Sequence, residues 1–315
     1  MTDYAIRTEH LTRYFGRKRV VYDLNLCVPR GSIFGFLGRN GSGKTTTLRM
    51  LLGLLEPTRG SATVLGCDSR RLTPAVRARI GYLAEEHPVH GWMRVGQAGK
   101  YQAQFYPKWN QDLFRAILDH FRVDPANRAK DLSRGERAGL CLALALAPEP
   151  DLLLLDDPAI GLDPVARRSL LESLVYATRK ADRTILFSSH LLSDIERMAD
   201  HIAVLDYSVL RAQCSVETFH SCVEQFVLRF AGKAPPPPTG LRGLLNSAVQ
   251  GDRMRLTIAN VTEDTRAAMA RLGALGMDEV PLSLEDAFVS YLGGPANGTA
   301  FTAAPEPVAA AGGVA

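Results

Sequence analysis

The sequence predicts an α/β fold: a mainly parallel core sheet covered by helices, broken by a helical insertion and followed by a small C-terminal α+β domain. Three observations carry this prediction. Short apolar runs alternate with segments of helical periodicity. A glycine-rich loop ending in Lys44-Thr45 joins one such run to one such helix. An aromatic-rich, helix-forming stretch separates the early strands from the later ones.

In chain order, residues 31–37 form a short apolar run after a turn and read as a buried strand. Residues 45–55 have Leu48, Leu51, Leu52 and Leu55 on one face and stop before Pro57, as a helix does. The insertion, about residues 88–140, carries Trp92, Tyr101, Phe105, Tyr106, Trp109, Phe114 and Phe121. Residues 152–155 are a second apolar strand, bounded by carboxylates, and 167–180 are helical. Strands at 184–188 and 202–206 bracket a helix at 192–198. This first domain spans residues 4–217. The second, 218–293, has strands near 225–230 and 254–258 and helices at 261–272 and 284–292, with a stiff proline run at 235–238. From 294 to 315 the composition is Ala, Gly, Pro and Thr, and a disordered tail is expected.

Composition narrows the function. The 315 residues hold 46% hydrophobic and 22% charged side chains, enough for ordinary globular cores. A net charge of +4 gives no argument for a nucleic-acid partner, and none is expected. Five cysteines, an odd count without a CxxC pair, suggest neither a disulfide framework nor a zinc site. No apolar stretch approaches the ~20 residues of a membrane helix. A role at a membrane would therefore pass through a partner.

Gly38-Arg39-Asn40-Gly41-Ser42-Gly43-Lys44-Thr45 matches G-x-x-x-x-G-K-[ST] between a predicted strand and a predicted helix, with Thr46 next in line. Glycines let backbone N–H groups converge on phosphate oxygens, and the helix presents its positive end to the same anion. Lys44 reaches the β- and γ-phosphates, and the Thr45 hydroxyl is a candidate Mg²⁺ ligand. The core is thus expected to be a P-loop nucleoside triphosphatase. The strand 152–155 ends in Asp156 and Asp157, at the strand ends where ligands of parallel sheets sit. Asp156 is the expected metal ligand and Asp157 the group that polarises the attacking water.

At Leu132-Ser133-Arg134-Gly135-Glu136 the chain resembles the LSGGQ signature of the ATP-binding subunits of ABC transporters. Other pieces follow in family order. Phe15, next to its rival Tyr14, resembles the aromatic that stacks on adenine. Residues 81–85, ending in Glu85, resemble the Q-loop. Gly161-Leu162-Asp163 resembles the D-loop, and Ser188-Ser189-His190 the switch histidine. The resemblance covers about residues 4–217. The later Pro281–Phe288 segment resembles, more weakly, the C-terminal extension of bacterial exporter subunits.

The resemblance implies an ABC-type ATPase using ATP and Mg²⁺. Ser133, Gly135 and Asp163 would complete the nucleotide site of a second subunit, in a homo- or heterodimer. His190 would contact the γ-phosphate, and Glu85 would serve the metal and the reaction. A separate transmembrane permease, met through the insertion, would hold the chain on the cytoplasmic face of the membrane, and the direction would be export. A soluble regulatory ATPase and a degenerate, slow or non-hydrolysing switch are the alternatives.

Three motifs depart from the family pattern, at four positions. Asp157 stands where Glu is usual, so its carboxylate reaches less far. Glu85 replaces Gln. Arg134 and Glu136 replace Gly and Gln in the signature. The sequence leaves open whether Arg134 points away or adds a cation near the opposite phosphate.

Overall fold

The structure is a computed structural model that describes residues 3–181, 183–293 and 301–302. The chain divides into two compact units, the first running to Gln213 and the second spanning Cys214–Phe301. Of the expected tail, Phe301–Thr302 forms a two-residue strand. The remainder lies outside the described residues.

The first unit holds the parallel sheet that the apolar runs predict. From Val209–Ser215, neighbouring strands are His201–Asp206, Ile33–Gly38, Thr184–Ser189, Leu152–Leu155 and Ile80–Leu83. The pairs from His201–Asp206 to Ile80–Leu83 are all parallel. Every residue of Ile33–Gly38, Leu152–Leu155 and Thr184–Ser189 is buried. Sheets covered on both faces need continuous apolar runs rather than alternation, which is why these strands stand out in the sequence.

A second, antiparallel sheet was not expected. It pairs Tyr4–Phe15 with Lys18–Leu24, Cys27–Pro29 and Arg59–Val64, and Cys67–Asp68 pairs with Arg59–Val64. Its long strand mixes buried Ile6 and Leu11 with exposed charges, and register shifts at Leu11/Arg13 and Arg13/Tyr14 break the period of two.

The helix after the glycine loop is Lys44–Leu51, shorter than the expected 45–55. Gly53 takes a left-handed conformation (φ 66°) just past its end and stops it one turn early. The insertion contains Val95–Ala103, Gln111–His120 and Arg134–Leu146. Gly139 lets the last of these approach Phe121: a Cβ there would lie 2.3 Å from Phe121 Cγ.

The second unit is a four-stranded antiparallel sheet in the order Leu244–Gln250, Arg253–Ala259, Val223–Arg229, Gly276–Val280. Its core joins Phe226, Leu228, Met254, Leu256, Ile258 and Met269. The helix expected at 261–272 is Glu263–Ala270, begun by the Thr262 hydroxyl, which accepts from Thr265 N.

Candidate functional site

The buried strand Ile33–Gly38 delivers the chain to the glycine loop. Gly43 has φ 112°, and a Cβ there would sit 2.4 Å from the Val20 carbonyl oxygen, so only glycine completes this turn. Lys44 then folds inward. Its Nζ donates to Gly38 O at 2.7 Å and lies 3.8 Å from Asp157 Oδ2. Burial pushes the Lys44 pKa down; Asp157, Asp156 and Glu85 oppose that shift. Ser42 Oγ is buried and has no hydrogen-bond partner among the described residues.

At the end of Leu152–Leu155 the two acids divide. Asp156 Oδ1 accepts from Thr45 Oγ1 at 3.0 Å and from Ser188 Oγ at 3.1 Å. Burial raises the Asp156 pKa, while those two hydroxyls lower it. Asp157 has φ 45°, a left-handed backbone rarely used by a non-glycine residue. Its N–H donates to Ser188 Oγ at 2.8 Å, and its Oδ1 lies 2.9 Å from His190 Nδ1. Ser188, fully buried, thereby holds both acids at once. Sequence reasoning places it only within Ser188-Ser189-His190 and gives it no role; its signal is a hydroxyl at the end of an apolar run, two residues before the histidine.

Beside these groups lies a cavity of about 590 Å³ lined by Phe15, Asn40, Lys44, Thr45, Glu85 and Asp157, with Gly41, Gly43 and Thr46 on its wall. Phe15 is 47% exposed. The Arg13 guanidinium lies 4.6 Å from its ring centroid. Gly38 supplies the carbonyl held by Lys44, and Arg39 is exposed at the loop.

Beyond the glycine loop, Ser133, Gly135 and Asp163, which were also expected to contact nucleotide, stand outside this cavity's lining. Ser133 caps the helix Arg134–Leu146: its Oγ accepts from Glu136 N at 3.3 Å, and Glu136 Oε2 accepts from Ser133 N at 2.8 Å. The Glu at position 136 thus closes a capping box. Gly135 sits in that helix's first turn. Asp163 Oδ1 accepts from Val165 N and Ala166 N at 2.9 and 3.0 Å, at the start of Pro164–Ala181. Arg134 lies along its own chain's Gly161, with Nη1 3.5 Å from Gly161 O.

The donors near Lys44 are oxygens, which suits a hard cation such as Mg²⁺. Among the described residues no group of three or more His, Cys, Asp or Glu is arranged to hold a metal. The arrangement of lysine, hydroxyl and paired acids around one cavity suits binding a nucleoside triphosphate and attack by water.

The sequence profile of the family described as ABC transporter matches residues 21–160. The chain is 28% identical over 293 residues to the ABC transporter ATP-binding protein YtrB of Bacillus subtilis, covering 92% of this chain and 98% of that one. It is 30% identical over 310 residues to the Nod factor export ATP-binding protein I of Rhizobium johnstonii, covering 93% and 96%. A solved structure of an ATP binding subunit of an ABC transporter superposes with a TM-score of 0.63 at 25% identity, covering 69% of this chain and 92% of that chain.

Proposed function

This chain belongs to the ABC transporter ATP-binding family and is an ATPase of that kind; from that premise we propose that it drives a separate membrane permease by ATP-dependent closure of a two-subunit dimer and hydrolysis-dependent reopening. The observation that carries this reading is the split of the site. Lys44, Thr45, Asp156, Asp157 and His190 are joined by contacts that run through Asp156, Ser188 and Asp157, beside a cavity that Lys44, Thr45 and Asp157 line, whereas Ser133 and Gly135 stand at a helix N-terminus outside that linked cluster. A helix N-terminus is an anion acceptor, and a triphosphate held by the glycine loop of one subunit is a fitting ligand for it on the other.

The roles follow from the groups present. Lys44 and the backbone of the glycine loop grip the β- and γ-phosphates, and the unpartnered Ser42 hydroxyl faces the same loop's interior. Phe15 offers a flat apolar surface to the adenine. Thr45 and Asp156, with Glu85 near them, would hold Mg²⁺, which when bound offsets the phosphate charge. Asp157 polarises the attacking water, and His190 holds that carboxylate in place.

Among the described residues no helix is long and apolar enough to cross a membrane. The permease is therefore proposed as a separate chain. Exposed Trp92, Tyr101 and Phe105 in the insertion offer it a surface, which would hold this subunit at the cytoplasmic face. Export is supported by the Nod factor export relative. A slow or non-hydrolysing switch is the second reading. It is favoured by Asp157, a short side chain whose oxygens already face His190 and Lys44.

The test is phosphate release by the purified chain with MgATP, with Lys44→Ala as control, followed by co-purification with a permease in detergent. Turnover abolished by Lys44→Ala, together with retention of a membrane-spanning partner, supports the main reading. ATP binding without turnover supports the switch.

A further inference from the structure

We propose that His87 is a positioning residue for hydrolysis: its ring, bonded to the Pro158 carbonyl, holds the Glu85 segment against the turn that carries Asp157. His87 is buried, 5% exposed, and has φ 48°. Its N–H donates to Ala84 O at 3.1 Å, closing a tight turn over 84–87. Its Nε2 lies 3.1 Å from Pro158 O. A carbonyl only accepts, so Nε2 carries the proton and the ring donates.

Pro158 follows Asp157 directly, and Asp157 is tied on its other side through its N–H to Ser188 Oγ. The backbone of residues 157 and 158 is therefore bonded to a side chain on the strand Thr184–Ser189 and to His87, in addition to the contacts of the Asp157 carboxylate with His190 and Lys44. Asp157 holds an unfavourable left-handed backbone that such restraints must maintain. Freed of His87, the turn can relax, and the shorter acid at this position has little reach to spare.

The placement also gives the contact a direction. Glu85, Glu86 and His87 line a cavity of about 420 Å³ shared with Arg134 and Gly161. Ala84 and Pro88, on either side of them in sequence, line a separate groove with Tyr82, Gln102 and Tyr106 of the strand and the insertion. Segment 84–88 is thus a wall between the two, and His87 is its bolt to the catalytic turn. A displacement on the groove side is passed to the turn at 156–158 through this hydrogen bond, beside the Asp156 N–H to Leu83 O bond at the end of the strand pair.

The inference rests on the assignment of Asp157 to the attacking water, so His87→Leu, His87→Gln and Asp157→Asn are compared in the full-length chain. ATP turnover and binding of a fluorescent ATP analogue are measured for each. His87→Leu keeps bulk without a donor; Gln places an amide N–H at similar reach. The expected result is a kcat about tenfold lower for His87→Leu, affinity changed by less than about twofold, and kcat within about threefold of wild type for His87→Gln. Wild-type turnover in His87→Leu overturns the proposal, as does a loss shared equally by affinity and not recovered by Gln. Unchanged turnover in Asp157→Asn instead overturns the underlying assignment. Should the Leu variant fail to fold, ¹⁵N spectroscopy of the wild-type ring decides. A slowly exchanging Nε2–H supports the bond, and an unprotonated Nε2 overturns it.

Discussion

The Asp157 carboxylate is held by His190: Oδ1 lies 2.9 Å from the ring Nδ1, on a side chain whose backbone is already pinned by Ser188. This contact couples the acid to the end of the strand Thr184–Ser189. Replacing the acid removes the water's polariser while leaving the lysine and hydroxyls that bind phosphate. Asp157→Asn is expected to lower kcat at least about a hundredfold, with ATP affinity within a few-fold of wild type. His190→Ala is expected to lower kcat by a smaller factor, because the carboxylate remains but loses its support. Phosphate-release kinetics on both variants checks the order.

Asp156 is a site residue kept at a cost to stability. Burial raises its pKa, so the folded chain holds a proton more tightly than the unfolded chain. Stability from this group therefore falls as pH rises from the ordinary carboxylate value through the raised one, and the cost is fully present above the raised value. Asp156→Asn keeps an oxygen for Thr45 and Ser188 and removes the buried charge. It is expected to raise the melting temperature by a few degrees, equivalent to about 1 kcal/mol, while abolishing Mg²⁺-dependent turnover. Calorimetry beside an activity assay reads both.

Phe15 lines the cavity, with the Arg13 guanidinium 4.6 Å from its ring centroid. Phe15→Ala removes a stacking surface and touches no phosphate ligand. ATP affinity is expected to fall about tenfold, with tripolyphosphate binding unchanged. Competition titration with both ligands distinguishes loss of base recognition from general damage.

Gly139 marks the tightest approach between the signature helix and Phe121. Its Cβ would clash with Phe121 Cγ at 2.3 Å and Cβ at 2.5 Å. Gly139→Ala raises helix propensity and is nevertheless expected to destabilise the first unit by about 1–3 kcal/mol through overpacking. Denaturant unfolding measures it.

How far the sequence can be read depends on what each signal encodes. Strands such as Leu152–Leu155 and Thr184–Ser189 were visible because a doubly covered sheet demands unbroken apolar runs. The glycine loop was visible because its residue types are dictated by backbone approach to phosphate. The antiparallel sheet around Tyr4–Phe15 was hidden by its bulges, and Gly276–Val280 by exposed residues at three of its five positions. The site was legible where chemistry fixes residue type, at Lys44, Thr45, Asp156 and Asp157. Ser188 and His87 were not, because their roles come from contacts between distant segments. Glu136, a departure from the signature, became intelligible only as the partner of Ser133 in a helix cap.

The most direct measurement is sedimentation of Asp157→Asn with saturating MgATP. The account predicts that the 34.3 kDa chain doubles in mass with nucleotide bound and returns to monomer when Ser133 is replaced by a bulky residue. A chain that binds MgATP fully and remains monomeric contradicts it.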